Sequence, residues 1–184
     1  AMTGADEALL VQQLANPKTR HAAFERLVRE FSEQLYWQIR RIVLIHEDAD
    51  DVMQNVFLKA WQHLDGFHQE SRISTWLYRI AINESLDFMR RKKNQREVSA
   101  DSEASSVART LMADKYFDGD ETAALLHEAI AQLPDVQRMV FNLHYFDNMK
   151  YSDISNLLNT SEGALKASYH IAVKKISDFF KQRD

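Results

Sequence analysis

Between Thr19 and about His46 the apolar residues Ala23, Leu27, Phe31, Leu35, Ile39, Ile42 and Val43 recur mostly at intervals of three or four. That spacing lines them along one face of a single long helix, and a helix with one apolar stripe needs other elements to cover it. Few points in the chain force a helix to break, since 184 residues contain only four Gly and two Pro. Leu, Ala, Glu, Gln and Lys, all good helix formers, are plentiful instead. The expected fold class is all-α, in two small helical domains, each near the lower limit of size for burying its own core.

A shorter helix, from about Asp6 to Ala15, precedes the long one and ends at the Asn16-Pro17 turn. A third begins near Glu47, where Asp48, Asp50 and Asp51 set negative charge against a helix N-terminus; Val52, Val56, Leu58 and Trp61 are its expected core contacts. Gly66 interrupts the pattern, and His68 to Arg72 reads as an exposed loop. Ser74 is the expected N-cap of a fourth helix, with Leu77, Ile80, Ala81, Leu86 and Met89 facing inward and a basic cluster at its end. These four helices make a first domain over residues 5–95.

Residues 96–120 are polar and acidic with little sustained period, apart from a marginal turn around Val107, Leu111 and Tyr116. At roughly 25 residues the stretch exceeds ordinary helix connections and reads as a flexible acidic linker. Helical pattern resumes at Glu121 and breaks at Pro134, which suits the first turn of a helix from Asp135 to about Asp147. The second domain, residues 121–184, closes with Tyr151 to Leu158, the turn Asn159 to Gly163, and Ser161 to about Phe180. This is a helix-turn-helix pattern. Ile154, Leu157 and Leu158 hold its first helix, and Leu165, Tyr169, Val173, Ile176 and Phe180 are the expected inward stripe of its second. Thr160 or Ser161 caps that second helix, and Lys166, His170 and Lys174 fall at four-residue intervals on an outward face that suits a major groove.

Several functions are excluded or unsupported by residue content. Without cysteine there are no disulfides or thiolate metal sites. No apolar run approaches the roughly 20 residues that cross a bilayer, and the start carries no basic region followed by an apolar stretch, so membrane insertion is not expected and the cytoplasm is the default. The seven histidines are scattered and no Gly-rich phosphate loop is present; no catalysis and no cofactor is expected. The carboxylates of Asp48, Asp50 and Asp51 lack the loop of a calcium site, so no metal is expected there, and docking of a partner through this acidic and amide face is the better reading.

The net charge of −4 argues against a protein that coats nucleic acid indiscriminately. The charge is segregated, however: Arg90, Arg91, Lys92, Lys93 and Arg96 cluster, whereas Glu97, Asp101, Glu103, Asp114, Asp118, Asp120 and Glu121 dominate the next stretch. The cluster reads either as a solvated helix end or, following Trp76, Tyr78, Arg79 and Asn83, as a nucleic-acid surface in which aromatic faces stack on exposed bases. An αα-hairpin in an ordinary bundle likewise remains an alternative to a DNA-reading motif at the C-terminus.

The stretches DADDVMQNVFLKAW (Asp48 to Trp61), FHQESRISTWLYRIAINESLDFMRRKK (Phe67 to Lys93), LPDVQRMVFNLHYF and YSDISNLLNTSEGALKASYHIAVKKI together resemble the extracytoplasmic-function group of bacterial sigma factors, which keep only sigma regions 2 and 4. The resemblance covers almost the whole chain. It implies a specificity subunit that binds core RNA polymerase and promoter DNA. By position it implies that Asp50, Asp51, Gln54 and Asn55 face the polymerase clamp. It further implies that Phe67, Ser74, Thr75, Trp76, Arg79, Asn83, Arg90 and Arg91 serve the melted minus-10 element, and that Ser161, Glu162, Lys166, His170 and Lys174 read the minus-35 element. The linker would thread toward the polymerase active-site channel. An anti-sigma partner is a further implication, though not every member of the group has one. Ala164, Ser168 and Ile171 depart from the family's frequent Thr and Arg, which shifts the groove and phosphate contacts onto Lys166, His170, Lys174 and Lys175. The competing readings are a conventional two-domain helix-turn-helix regulator that acts without sigma activity, and a helical adaptor.

Overall fold

The computed structural model describes residues 2–69, 71–94, 114, 117 and 119–183. Among these there is helix and no strand, and the chain divides into two compact units, Ala1–Gln95 and Arg96–Asp184. The proposed linker over 96–120 lies almost wholly outside the described residues.

In the first unit α1 (Gly4–Ala15) is entered through a capping box, Thr3 accepting from the Asp6 N–H at 3.1 Å while the Asp6 carboxylate accepts from the Thr3 N–H at 3.2 Å. These bonds hold the Asp6 carboxyl below its ordinary pKa. α2 (Arg20–Val43) is the long helix, and every residue of its predicted stripe is buried. α3 (His46–Gln62) packs on α2 and buries Ala49, Val52, Val56 and Ala60. A single 3-10 turn, Leu64–Gly66, leads toward α4 (Ile73–Asn94), which packs against both α2 and α3.

Two expectations fail here. Leu58 is not a core residue but 55 % exposed, because the buried face of α3 is set by small and β-branched residues at 49, 52, 56 and 60, and position 58 lies across the helix from them. Ser74 is not the N-cap of α4: the carbonyl of Arg72 receives the first helical bond, from Trp76 N–H at 3.1 Å. Ser74 sits one residue inside the helix start at Ile73, and its N–H donates to Glu7 of α1 at 3.0 Å.

The join between α2 and α3 is tight. Leu44 has φ 77°, and the Ile45 N–H donates to the Val43 carbonyl at 3.0 Å, a γ-turn of a kind that is strained for a residue with a side chain. Buried Arg40 holds it, Nε donating to the Leu44 carbonyl at 2.9 Å.

The second unit comprises α5 (Glu121–Ala131), α6 (Asp135–Phe141), α7 (Tyr151–Leu158) and α8 (Glu162–Lys181). Asp120 caps α5 by accepting from the Ala123 N–H at 2.9 Å. Pro134 stands at the N-cap of α6 rather than within its first turn. The helix predicted to continue to about Asp147 changes at Asn142 into a π turn that runs to Phe146. Ala129, Ile130, Leu133, Phe141, Ala172 and Ile176 form the core, with Leu126, Phe146, Tyr169, Phe179 and Phe180 packed around it. Val173, expected in this stripe, is 42 % exposed, and Ala172 occupies the core with no exposure. The inward line of α8 therefore runs Leu165, Tyr169, Ala172, Ile176.

Candidate nucleic-acid interface

Three surfaces gather the residues singled out from sequence, two on the first unit and one on the second. On α3 the positions 51, 55, 58 and 62 share one outward face at helical spacing; Asp51, Gln54, Asn55, Leu58, Lys59 and Gln62 are all exposed. Asp50 is half-buried at the margin, its carboxylate 3.1 Å from His46 Nε2. Behind it runs a buried polar line. Arg40 Nη1 donates to the Tyr36 hydroxyl at 2.7 Å, and that hydroxyl lies 2.7 Å from His46 Nδ1. An oxygen that accepts from Arg40 is set to give its own proton to Nδ1, which leaves the Nε2–H to face Asp50. Sequence pattern missed Leu58 as a surface group and missed this line entirely.

The second surface is the start and outer side of α4. Phe67, in the preceding loop, has its ring 5.2 Å from that of Trp76 at 45°, and both are half-buried, as is Thr75. Below them Arg79, Asn83, Asp87 and Arg90 are exposed at intervals of three or four, one continuous stripe, with Arg91 exposed beside it. Arg90 stands 3.3 Å from Asp87. Lys92 differs from its neighbours in the basic cluster, since it pairs with Asp48 at 2.9 Å and thereby pins the end of α4 to the first turn of α3. The cluster thus splits into outward cations and one structural cation; Arg96 lies outside the described residues. Nearby, Lys59 pairs with the buried Glu84. An aromatic notch followed by an amide and guanidinium stripe has the chemistry to stack on and hydrogen-bond an unpaired nucleic-acid strand.

On the second unit the helix-turn-helix closes through Asn159, in the left-handed conformation at φ 55°, ψ 44°, a position Asn tolerates better than most side chains. Ser161 is the N-cap of α8, its hydroxyl accepting from the Ala164 N–H at 3.2 Å. Ser155 in turn donates to the Thr160 carbonyl at 2.6 Å, which stiffens the turn. Ser161, Glu162, Lys166, His170 and Lys174 are all exposed, the first two at the end of the helix that a groove would admit first and the others along one side. Lys166 Nζ lies 5.7 Å from the centre of the Tyr151 ring, so α7 supports a cation of α8. Behind them Tyr169 stacks on Phe141 at 5.7 Å and meets His144 edge-on at 4.8 Å. Burial raises the pKa of both Tyr169 and Tyr151.

The family model for Sigma-70 region 2 matches residues 27–95, and that for Sigma-70 region 4 matches residues 123–176. The chain is 30 % identical over 156 residues to the ECF RNA polymerase sigma factor SigW of Bacillus subtilis (strain 168), covering 80 % of this chain and 83 % of that one. It is 29 % identical over 174 residues to the RNA polymerase sigma-H factor of Pseudomonas aeruginosa, covering 90 % and 89 %. Among solved structures, CnrH in complex with the cytosolic domain of CnrY superposes with a TM-score of 0.62 at 23 % identity, covering 98 % of this chain and 99 % of that one. The sigma factor RpoE in complex with the anti-sigma factor NepR from Bartonella quintana gives 0.61 at 19 %, covering 86 % and 96 %. At such identities these two likenesses speak for the fold.

Proposed function

This chain belongs to the sigma-70 family, in its extracytoplasmic-function group, and from that premise we propose that it is an alternative sigma factor that binds core RNA polymerase and directs promoter-specific initiation. The observation that carries the reading is the occurrence, in one chain and in this order, of a region 2 match with an aromatic notch and a region 4 match with a capped, cation-bearing second helix. Residues 5–95 take the polymerase clamp and the minus-10 element, and residues 121–184 take the minus-35 element. The family is not known for catalysis, and work at chromosomal promoters puts the protein in the cytoplasm; no described helix is long and apolar enough to cross a membrane.

Mechanistically, the outward face of α3 docks on the clamp through Asp50, Asp51, Gln54 and Asn55, with Leu58 as the apolar contact at its centre. The second unit seats Ser161 and Glu162 against base edges of the minus-35 duplex while Lys166, His170 and Lys174 meet phosphates, contacts that position rather than specify. On the first unit Phe67 and Trp76 receive an unstacked minus-10 base, with Ser74, Thr75, Arg79 and Asn83 beside it and Arg90 and Arg91 on the strand's phosphates. Opening a step costs a few kcal/mol, which stacking on a prepared aromatic surface offsets. The sigma factor RpoE of Bartonella quintana is seen in complex with the anti-sigma factor NepR, and the proposal extends to an anti-sigma protein that covers the α3 and α4 surfaces of this chain.

Run-off transcription with bacterial core RNA polymerase on a pool of promoter fragments tests the reading. Specific transcripts that need this chain are the expected result. No transcripts and no affinity for core polymerase would return the conventional helix-turn-helix regulator, which binds its operator unaided.

A further inference from the structure

α1 precedes the residues that match region 2. Its buried residues are two leucines and one acid, Glu7, which is 3 % exposed. A carboxylate so far from water is tolerated only where partners hold it, and both of its oxygens are engaged at the start of α4. Oε1 accepts the Ser74 N–H at 3.0 Å; Oε2 pairs with Arg72, whose guanidinium also donates to the Met2 carbonyl at 3.2 Å. The other end of the α3–α4 connection is tied to the same part of the chain. Arg20 pairs with Asp65 at 3.1 Å while its Nε donates to the Leu14 carbonyl, the end of α1, at 2.8 Å. Phe67 lies in sequence between these two ties, against Trp76.

We propose that Glu7 is a positioning residue for capture of the minus-10 base: it caps α4 from outside that helix and, with Arg72, sets the angle between the Phe67 and Trp76 rings. The proposal rests on the reading of those two rings given under Proposed function. An uncapped first turn frays, and Trp76 stands in the first turn of α4. A negative group at this end also meets the positive pole of the helix. A cap within the loop would satisfy the same N–H, but a cap on α1 makes the notch a rigid part of the α1–α2–α4 packing. Rings already in place need not be ordered when the base arrives, and binding loses less entropy.

The test uses holoenzyme assembled from the full chain and core polymerase, with 2-aminopurine in the non-template minus-10 strand reporting opening. Glu7→Gln keeps the shape and one acceptor but removes the charge. Arg72→Gln breaks the pair from a side chain that is half exposed and leaves the buried carboxylate in place. Each should slow opening about tenfold, the scale of one charge-assisted bond, with core affinity and minus-35 duplex binding unchanged. The double variant should be no slower than either single variant, because one interaction is removed twice. Opening at the wild-type rate in both single variants overturns the proposal. So does an equal loss of core affinity, which would make Glu7 a support of the unit as a whole. A wild-type holoenzyme that transcribes but shows no 2-aminopurine signal would overturn the reading of the two rings and this proposal with it.

Discussion

Arg40 illustrates how one buried cation can organise a surface it never reaches. Its guanidinium closes the strained Leu44 turn and donates to Tyr36, which leads through His46 to Asp50 at the edge of the proposed docking face. Arg40→Ala is expected to lower unfolding free energy by about 2–3 kcal/mol, since the Leu44 carbonyl and Tyr36 hydroxyl lose a charged donor; chemical denaturation measures this, and a loss below the scatter of surface variants would refute it. Leu58 makes the opposite case. Already 55 % exposed, it contributes little to the fold, so Leu58→Ala should leave the melting temperature unchanged. It should weaken core polymerase binding about tenfold, the cost of a central apolar contact at an interface; unchanged affinity in a titration with labelled polymerase would place the docking face elsewhere. At this scale sequence reasoning found polar candidates on α3 because they stand in an acidic and amide run. It could not find the Arg40 line, since Tyr36, Arg40 and His46 read as ordinary helix-surface residues until α2 and α3 are folded together.

Elements are more legible in the sequence than single residues. Every residue that the spacing assigns to the stripe of α2 is buried, because the pattern repeats over about six turns, although Tyr36 and Arg40 are buried beside it without belonging to it; α8, by contrast, offers Ala172 and Val173 side by side and hydrophobicity alone chooses the larger. Packing against Phe141 and Ile176 leaves room for a methyl group, and the alanine goes in. Ala172→Leu should therefore cost about 1–3 kcal/mol by overpacking, while Val173→Ser should stay within about 0.5 kcal/mol of wild type; thermal melts that reverse this order would reverse the helix face. The π turn after α6 has no sequence signature, and the cap of α4 comes from a residue 67 positions away in sequence, beyond any local motif. Tyr151 and Tyr169, which join α7 and α8 to the core, give the second unit an alkaline limit. Both have pKa values raised above the ordinary 10.0 by burial, so the folded form holds their protons more tightly than the unfolded chain does. Their contribution is complete below pH 10 and is lost as the pH rises through their folded values. Circular dichroism should show stability falling above pH 10, and Tyr151→Phe should lessen that fall.

Over the whole molecule the central expectation is that the free chain has little affinity for DNA. Its net charge is −4, and the exposed cations of the two surfaces proposed to meet DNA stand on separate units, Arg79, Arg90 and Arg91 on α4 and Lys166 and Lys174 on α8. Each patch neutralises few phosphates, and binding that rests on few phosphates is weak at physiological salt. On the proposed reading the aromatic notch adds nothing to duplex binding, since its ligand would be a base that must first leave the stack. Core polymerase changes both terms: held on one scaffold, the two units act with an effective concentration that neither has alone, and opened DNA supplies the notch with its ligand. The free protein should accordingly bind a promoter duplex with Kd weaker than about 1 μM at 0.15 M salt, near the non-specific range, and the same duplex should be bound specifically once core polymerase is added. Fluorescence anisotropy with labelled duplex, with and without polymerase, measures the difference. Within holoenzyme Lys166→Ala should weaken minus-35 binding and lower the slope of log K against log salt by about 1, the signature of one phosphate contact. A free chain that bound its site at about 10 nM would have the affinity of a self-sufficient operator reader, and the division of labour between notch, helix and polymerase would then have to be abandoned.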